Sequence, residues 1–172
     1  NPFIGASGFR PGDLVPFNVQ ALRYRNTDAV FVAYANTSAD AQGNLVVAEE
    51  ATGAGFGRVV EYTPAGELVR IWDDRGLLNA PWALVVAPDD FGAFSNQLIV
   101  GNFADGTMVG FDTGIRSATE YLRDDADQVL EIAGLWGLLF GNGESLGDRN
   151  AMYFAAGPDD ETQGLFGSLR VA

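Results

Sequence analysis

What this chain lacks narrows its chemistry before any motif is read. It has no cysteine, which excludes disulfide staples and thiolate metal sites. It has no histidine, which removes the commonest zinc ligand, the commonest general base and the Ser-His-Asp triad together. Lysine is absent too: all 10 basic residues are arginine, set against 23 acidic ones, for a net charge of -13. That charge repels phosphate backbones and anionic lipid, so nucleic acid is disfavoured as a partner and membrane docking likewise. No apolar run nears the ~20 residues that span a bilayer. Even Ala80 to Pro88 is short and is ended by proline and acid.

What is present reads as an ordered, turn-rich β protein: 47% apolar residues, 19% charged, 22 glycines and 7 prolines. A helical period fits nowhere well, whereas short apolar or alternating runs bounded by Gly, Pro, Asn and Asp recur. Strands are predicted at Asn18 to Leu22, Ala29 to Ala35, Arg58 to Thr63, Glu67 to Trp72, Trp82 to Ala87 and Gln97 to Phe103. They continue at Thr107 to Asp112, Ala118 to Arg123, Leu135 to Phe140, Ala151 to Ala156 and Leu165 to Val171. Between them, Thr63-Pro64-Ala65-Gly66 and Asp105-Gly106 carry the chemistry of tight turns.

Three segments share one plan: an aromatic at the start of an apolar strand, a polar loop, a second strand of small residues, then an acidic or Asn-bearing turn. They begin Pro16-Phe17-Asn18, Pro81-Trp82-Ala83 and Leu135-Trp136-Gly137. The first two continue into matching third strands, Arg58-Val59-Val60-Glu61-Tyr62 and Thr107-Met108-Val109-Gly110-Phe111, each followed by a turn and an outer strand. A four-stranded repeat of this length is the pattern of β-propeller blades, with small residues suited to the crowded inner strands. The blades fall at 16–75, 80–125 and, incomplete, 131–172. A β-sandwich with coincidental aromatics is the competing all-β reading. Propellers close with 4 to 8 blades, so about three leave raw faces, and the expected partner is a second set of blades. A second copy of the chain, as a homodimer, would supply it, or an N-terminal half preceding Asn1-Pro2-Phe3-Ile4-Gly5, a start with neither initiator Met nor signal-peptide character.

Several blocks, in order, resemble a known family: Leu78-Asn79-Ala80-Pro81-Trp82-Ala83-Leu84, Leu98-Ile99-Val100-Gly101-Asn102-Phe103-Ala104-Asp105-Gly106, Gly134-Leu135-Trp136-Gly137-Leu138, and the closing run from Ala155 to Leu169. They are similar to the C-terminal half of an uncharacterised family of secreted bacterial proteins. These are NHL-like six-bladed propellers, some of which carry an exosortase (PEP-CTERM) sorting signal. The resemblance implies a propeller fold and a secreted, extracellular or periplasmic address. It implies no activity. The segment from Thr37 to Gly57 departs from the family pattern and reads as a loop.

Acidic turns are the candidate chemistry. Asn36, Asn102 with Asp105, and Asp159 with Asp160 and Glu161 follow the second strand of each repeat, at places that look equivalent. Such oxygens suit a hard cation, with Ca²⁺ the candidate. The same residue types also cap turns through their own side chains. Phe17, Trp82 and Trp136 are expected to pack between blades, with Trp→Ala at Trp82 or Trp136 costing roughly 3 to 5 kcal/mol if they are buried there. The Gly53 to Gly57 run lacks the lysine and following helix of a phosphate loop. The function expected is a non-enzymatic extracellular binding or scaffold module taking a cation or glycan. A propeller-type hydrolase or lyase using axial carboxylates is the alternative.

Overall fold

The computed structural model describes residues 8–171, and every strand in it is antiparallel to its neighbours. The first sheet contains β1 (Leu14–Tyr24), β2 (Thr27–Ala39), β3 (Leu45–Ala51), β4 (Arg58–Tyr62) and β5 (Leu68–Ile71), ordered β1-β2-β4-β5 with β3 paired to the far end of β2. The second is a plain meander of β6 (Pro81–Val86), β7 (Leu98–Asn102), β8 (Met108–Asp112) and β9 (Ser117–Tyr121). The third has three strands, β10 (Leu135–Phe140), β11 (Met152–Ala156) and β12 (Leu165–Leu169). One short 3-10 turn, Gly92–Phe94, interrupts the β6–β7 connection. The protein is therefore all-β, and the described residues form three sheets that do not close on one another as a ring.

Turn chemistry explains the meanders. Tyr24 pairs directly with Thr27, and the two residues between, Arg25 and Asn26, both have positive φ (48° and 62°), as a type I′ hairpin requires. Thr63-Pro64-Ala65-Gly66 closes with the Gly66 amide donating to Thr63 O at 2.9 Å. Gly57 and Gly106 precede β4 and β8 at the same register position, with φ of 128° and 73°. A side chain at either would strike the next segment of chain, Pro81 in one case and the Ile132 carbonyl in the other. Close approach between successive sheets depends on these two glycines.

The second sheet lies between the other two. Its face toward the first sheet joins Leu84, Leu98, Val100, Val109 and Phe111 to Phe31, Val59 and Trp72. Its opposite face joins Val85, Ile99 and Met108 to Leu135 and Met152. The continuous apolar run Leu98-Ile99-Val100-Gly101 follows from this: all of β7 is buried, on both faces. The first strands of the sheets sit side by side, β1 against β6 and β6 against β10. No helix among the described residues is long and apolar enough to cross a membrane.

One sequence reading needs correction. Thr37 to Gly57 is not a plain loop: β2 runs on to Ala39 and β3 pairs with it, Asn36 opposite Ala51 and Ala39 opposite Leu45. The start of the chain lies outside the described residues as far as residue 7. From Leu14 onward it belongs to β1, the first strand of its own sheet.

Candidate functional site

The first strand of every sheet carries the same irregularity. In β1, Pro16 pairs with Tyr34 and Asn18 with Ala33, leaving Phe17 as the extra residue. In β6, Pro81 pairs with Asn102 and Ala83 with Gly101, leaving Trp82. In β10, Leu135 pairs with Ala156 and Gly137 with Ala155, leaving Trp136. A β-bulge re-aims the side chain it carries, and the three rings meet across the sheets. Phe17 and Trp82 lie edge to face at 4.7 Å, and Trp82 and Trp136 do the same at 4.7 Å. Phe103, just after β7, closes the array against Phe17 at 6.0 Å and Trp136 at 4.4 Å. Asn18 Nδ2 donates to the Trp82 carbonyl at 2.9 Å and ties the first bulge to the second.

All four rings are only half-buried. The rings touch one another across the sheets, and at this exposure the truncation cost of a fully buried ring does not follow. Phe17, Phe103 and Trp136 also line an open cleft of about 900 Å³. Its rim is supplied by Glu49 and Glu50 of β3 and by the turn Gly157–Glu161. That turn is bent: Asp159, Asp160 and Glu161 have φ of 55°, 52° and 63°, and the Glu161 amide donates back to Gly157 O at 3.2 Å. Successive left-handed residues other than glycine cost about 1–2 kcal/mol each, a strain of the kind stored at functional loops.

The candidate cation ligands part company. Asp159, Asp160 and Glu161 border the cleft, whereas Asn102 and Asp105 are occupied elsewhere. Asn102 is wholly buried; its Nδ2 donates to Leu77 O at 3.0 Å and Thr107 Oγ1 at 2.9 Å, and its Oδ1 accepts from the Asn79 amide at 3.0 Å. Asp105 accepts from the Thr107 amide and hydroxyl and from Asn79 Nδ2 at 2.6 Å. These two residues cap and join turns. Asn36 donates to Gly12 O at 2.9 Å and borders a groove beside β3 that shares Phe17, Glu49 and Glu50 with the cleft but not the Asp159–Glu161 turn. Its register place is not that of Asn102 either: Tyr34 and Ala156 match Asn102, and Asn36 lies two residues further on. Among the described residues no group of three or more carboxylates is arranged to hold a metal ion, so no Ca²⁺ centre forms from the six residues together.

A second polar cluster escaped the sequence reading. Glu61 is buried between the first and second sheets, accepting from Tyr24 OH at 2.6 Å and Trp72 Nε1 at 2.9 Å, with Arg116 Nε 3.6 Å away. Burial, then the bond to this carboxylate, raises the Tyr24 phenol above its ordinary value. Tyr34 is raised likewise, by burial and its 2.9 Å contact with Tyr62. Strand alternation was the available signal, since Val59 and Glu61 share a face and Val59 is core. In the second sheet the matching residue is Gly110, its space taken by the Phe94 ring and Gln97.

Fold and cleft define an all-β protein of three antiparallel sheets with an aromatic-floored, acid-rimmed end. No family model matches the chain. It is similar to uncharacterised proteins of Acanthamoeba polyphaga mimivirus: one is 36% identical over 118 residues, which are 69% of this chain and 28% of the viral protein. A second is 34% identical over 115 residues, 67% of this chain and 29% of that protein, and a third 33% identical over 89 residues. The chain spans under a third of the length of these relatives. They correct the resemblance drawn from sequence blocks: the similarity found is to viral proteins, not to a secreted bacterial propeller family. The secreted address that rested on that family loses its support with it.

Proposed function

We propose that the chain is a set of β-propeller blades acting as a non-enzymatic binding module, with the cleft of Phe17, Phe103 and Trp136 as its binding end. One observation carries the reading: the same bulge, with an aromatic in it, recurs at the same register in β1, β6 and β10. Meander sheets in chain order with first strands adjacent are the layout of blades around an axis, and ligand sites cluster where such elements converge. The outer faces of the first and third sheets expose Val19, Leu139 and Phe166, surface that a further set of blades would cover. That set is a second copy or another part of a longer chain. The net charge of -13 argues for a partner other than nucleic acid.

Native mass spectrometry with small-angle scattering tests the blade reading. A ring-shaped particle with additional blades is expected, and a folded, stable monomer at 18.3 kDa would overturn it. Turnover of glycan or lactone substrates that disappears in Asp159→Asn or Glu161→Gln would overturn the non-enzymatic part.

A further inference from the structure

The cleft is one-sided in charge as well as aromatic. Glu49, Glu50, Asp159, Asp160 and Glu161 border it, and no arginine does. Five of the ten arginines sit beside acids elsewhere: Arg23 with Asp28, Arg116 with Glu61, Arg123 with Asp127, Arg149 with Asp89 and Arg170 with Asp148. Other acids, Asp40, Asp112 and Asp124 among them, are taken up by backbone amides in turns. The five at the cleft have no ion pair and no side-chain hydrogen bond among the described residues. Phe17, Phe103 and Trp136, which line the same cleft, are only half-buried.

Resting on the binding-module reading, we infer that the cleft takes an organic cation of the guanidinium or alkylammonium class, its apolar surface on the rings and its charge among the carboxylates. An aromatic face attracts a cation through its quadrupole, and nearby carboxylates add to that pull. A bare divalent ion needs several oxygens gathered at 2.3–2.6 Å and has no use for rings, and the carboxylates are not so gathered. A neutral sugar would stack on the rings and give its hydroxyls to the carboxylates, but it would leave five like charges uncompensated at one cleft. Polyamines and arginine-bearing peptides both offer the required chemistry.

The test is titration of the intact protein with spermine, with a hexa-arginine peptide, with CaCl₂ and with a neutral oligosaccharide, read by calorimetry and Trp fluorescence. Saturable binding of spermine, of the peptide or of both is expected, the stronger arm identifying the source of the cation. Glu50→Gln/Asp160→Asn/Glu161→Gln should weaken it about tenfold. Trp136→Leu or Phe103→Leu should weaken it severalfold in protein that keeps its native circular dichroism. Glu67→Gln/Glu120→Gln/Asp125→Asn, exposed acids away from the cleft, should leave it within about twofold, which separates a site from general attraction to an acidic protein. Equal loss in both triple variants, no loss on ring removal, or no cation binding would overturn the inference. Saturable oligosaccharide binding lost with Trp136→Leu, and no cation binding, would sink the cation while leaving the binding module; no ligand at the cleft would sink both.

Discussion

The second and third sheets are built from similar sequence and live in different surroundings. Leu98–Asn102 and Met108–Val109-Gly110-Phe111 are buried throughout, because the second sheet has a neighbour on each face. Leu135–Phe140 and Leu165–Leu169 are as apolar, yet only the side facing the second sheet is closed. Leu135 and Met152 are fully buried there, while Leu139 and Phe166 on the other side stand open. Apolar residues on both sides of a strand therefore record how many neighbours the sheet is made for, and the third sheet presents a core-like surface to the outside.

Substitution should separate the two sheets. The largest effect is expected for Phe111→Ala, which empties the centre of the first core cluster and should cost about 3–5 kcal/mol in urea unfolding. Phe166→Ala, at 74% exposure, should change stability by no more than about 0.5 kcal/mol in the same assay. A cost at Phe166 that appears only in a larger assembly would sharpen the contrast, and one in the isolated chain would break it.

Glu61→Ala should come next, at about 3 kcal/mol, because Tyr24 and Trp72 lose their acceptor and Arg116 its counter-charge at once. This cluster also sets an alkaline limit. The folded protein holds Tyr24 protonated above its ordinary value of 10.0, so its contribution is complete below about pH 10 and is lost as pH rises through the higher folded value. Tyr24→Phe should flatten the alkaline branch of the stability profile, and an unchanged branch would show that other tyrosines govern it. Asn102→Ala should cost about 2 kcal/mol by stranding buried partners, whereas Asn36→Ala, with one exposed bond, should cost under about 0.5 kcal/mol. The smallest effect is expected at Ala80, buried with φ of 48°. There Ala80→Gly should be neutral or slightly stabilising in thermal unfolding, against the usual loss of about 0.5–1 kcal/mol for glycine in a strand.

Much of this was readable from residues. The all-β character came from short apolar runs between turn formers, and the repeated aromatic was visible as Phe17, Trp82 and Trp136. The bulges were not, because a bulge exists only relative to the partner strand. That is also why Asn36 was aligned with Asn102: matching by residue type placed it two positions from its register equivalent, Tyr34. β3 was missed because Glu49 and Glu50 give its run the composition of a loop, and its pairing depends on β2 being thirteen residues long. The cleft needed tertiary information twice over, since β3 and the Asp159–Glu161 turn are over a hundred positions apart in the chain.

The three bulges make the aromatic end genetically separable from the sheets that carry it. Pro81 and Ala83 already pair with consecutive partners, Asn102 and Gly101, so the ladder is continuous without residue 82. The same holds at residues 17 and 136. Loss of one codon there would heal a strand rather than shift its frame, removing a ring while sparing the pairing on either side. A lineage could thus discard or exchange what this end recognises without redesigning the scaffold beneath it.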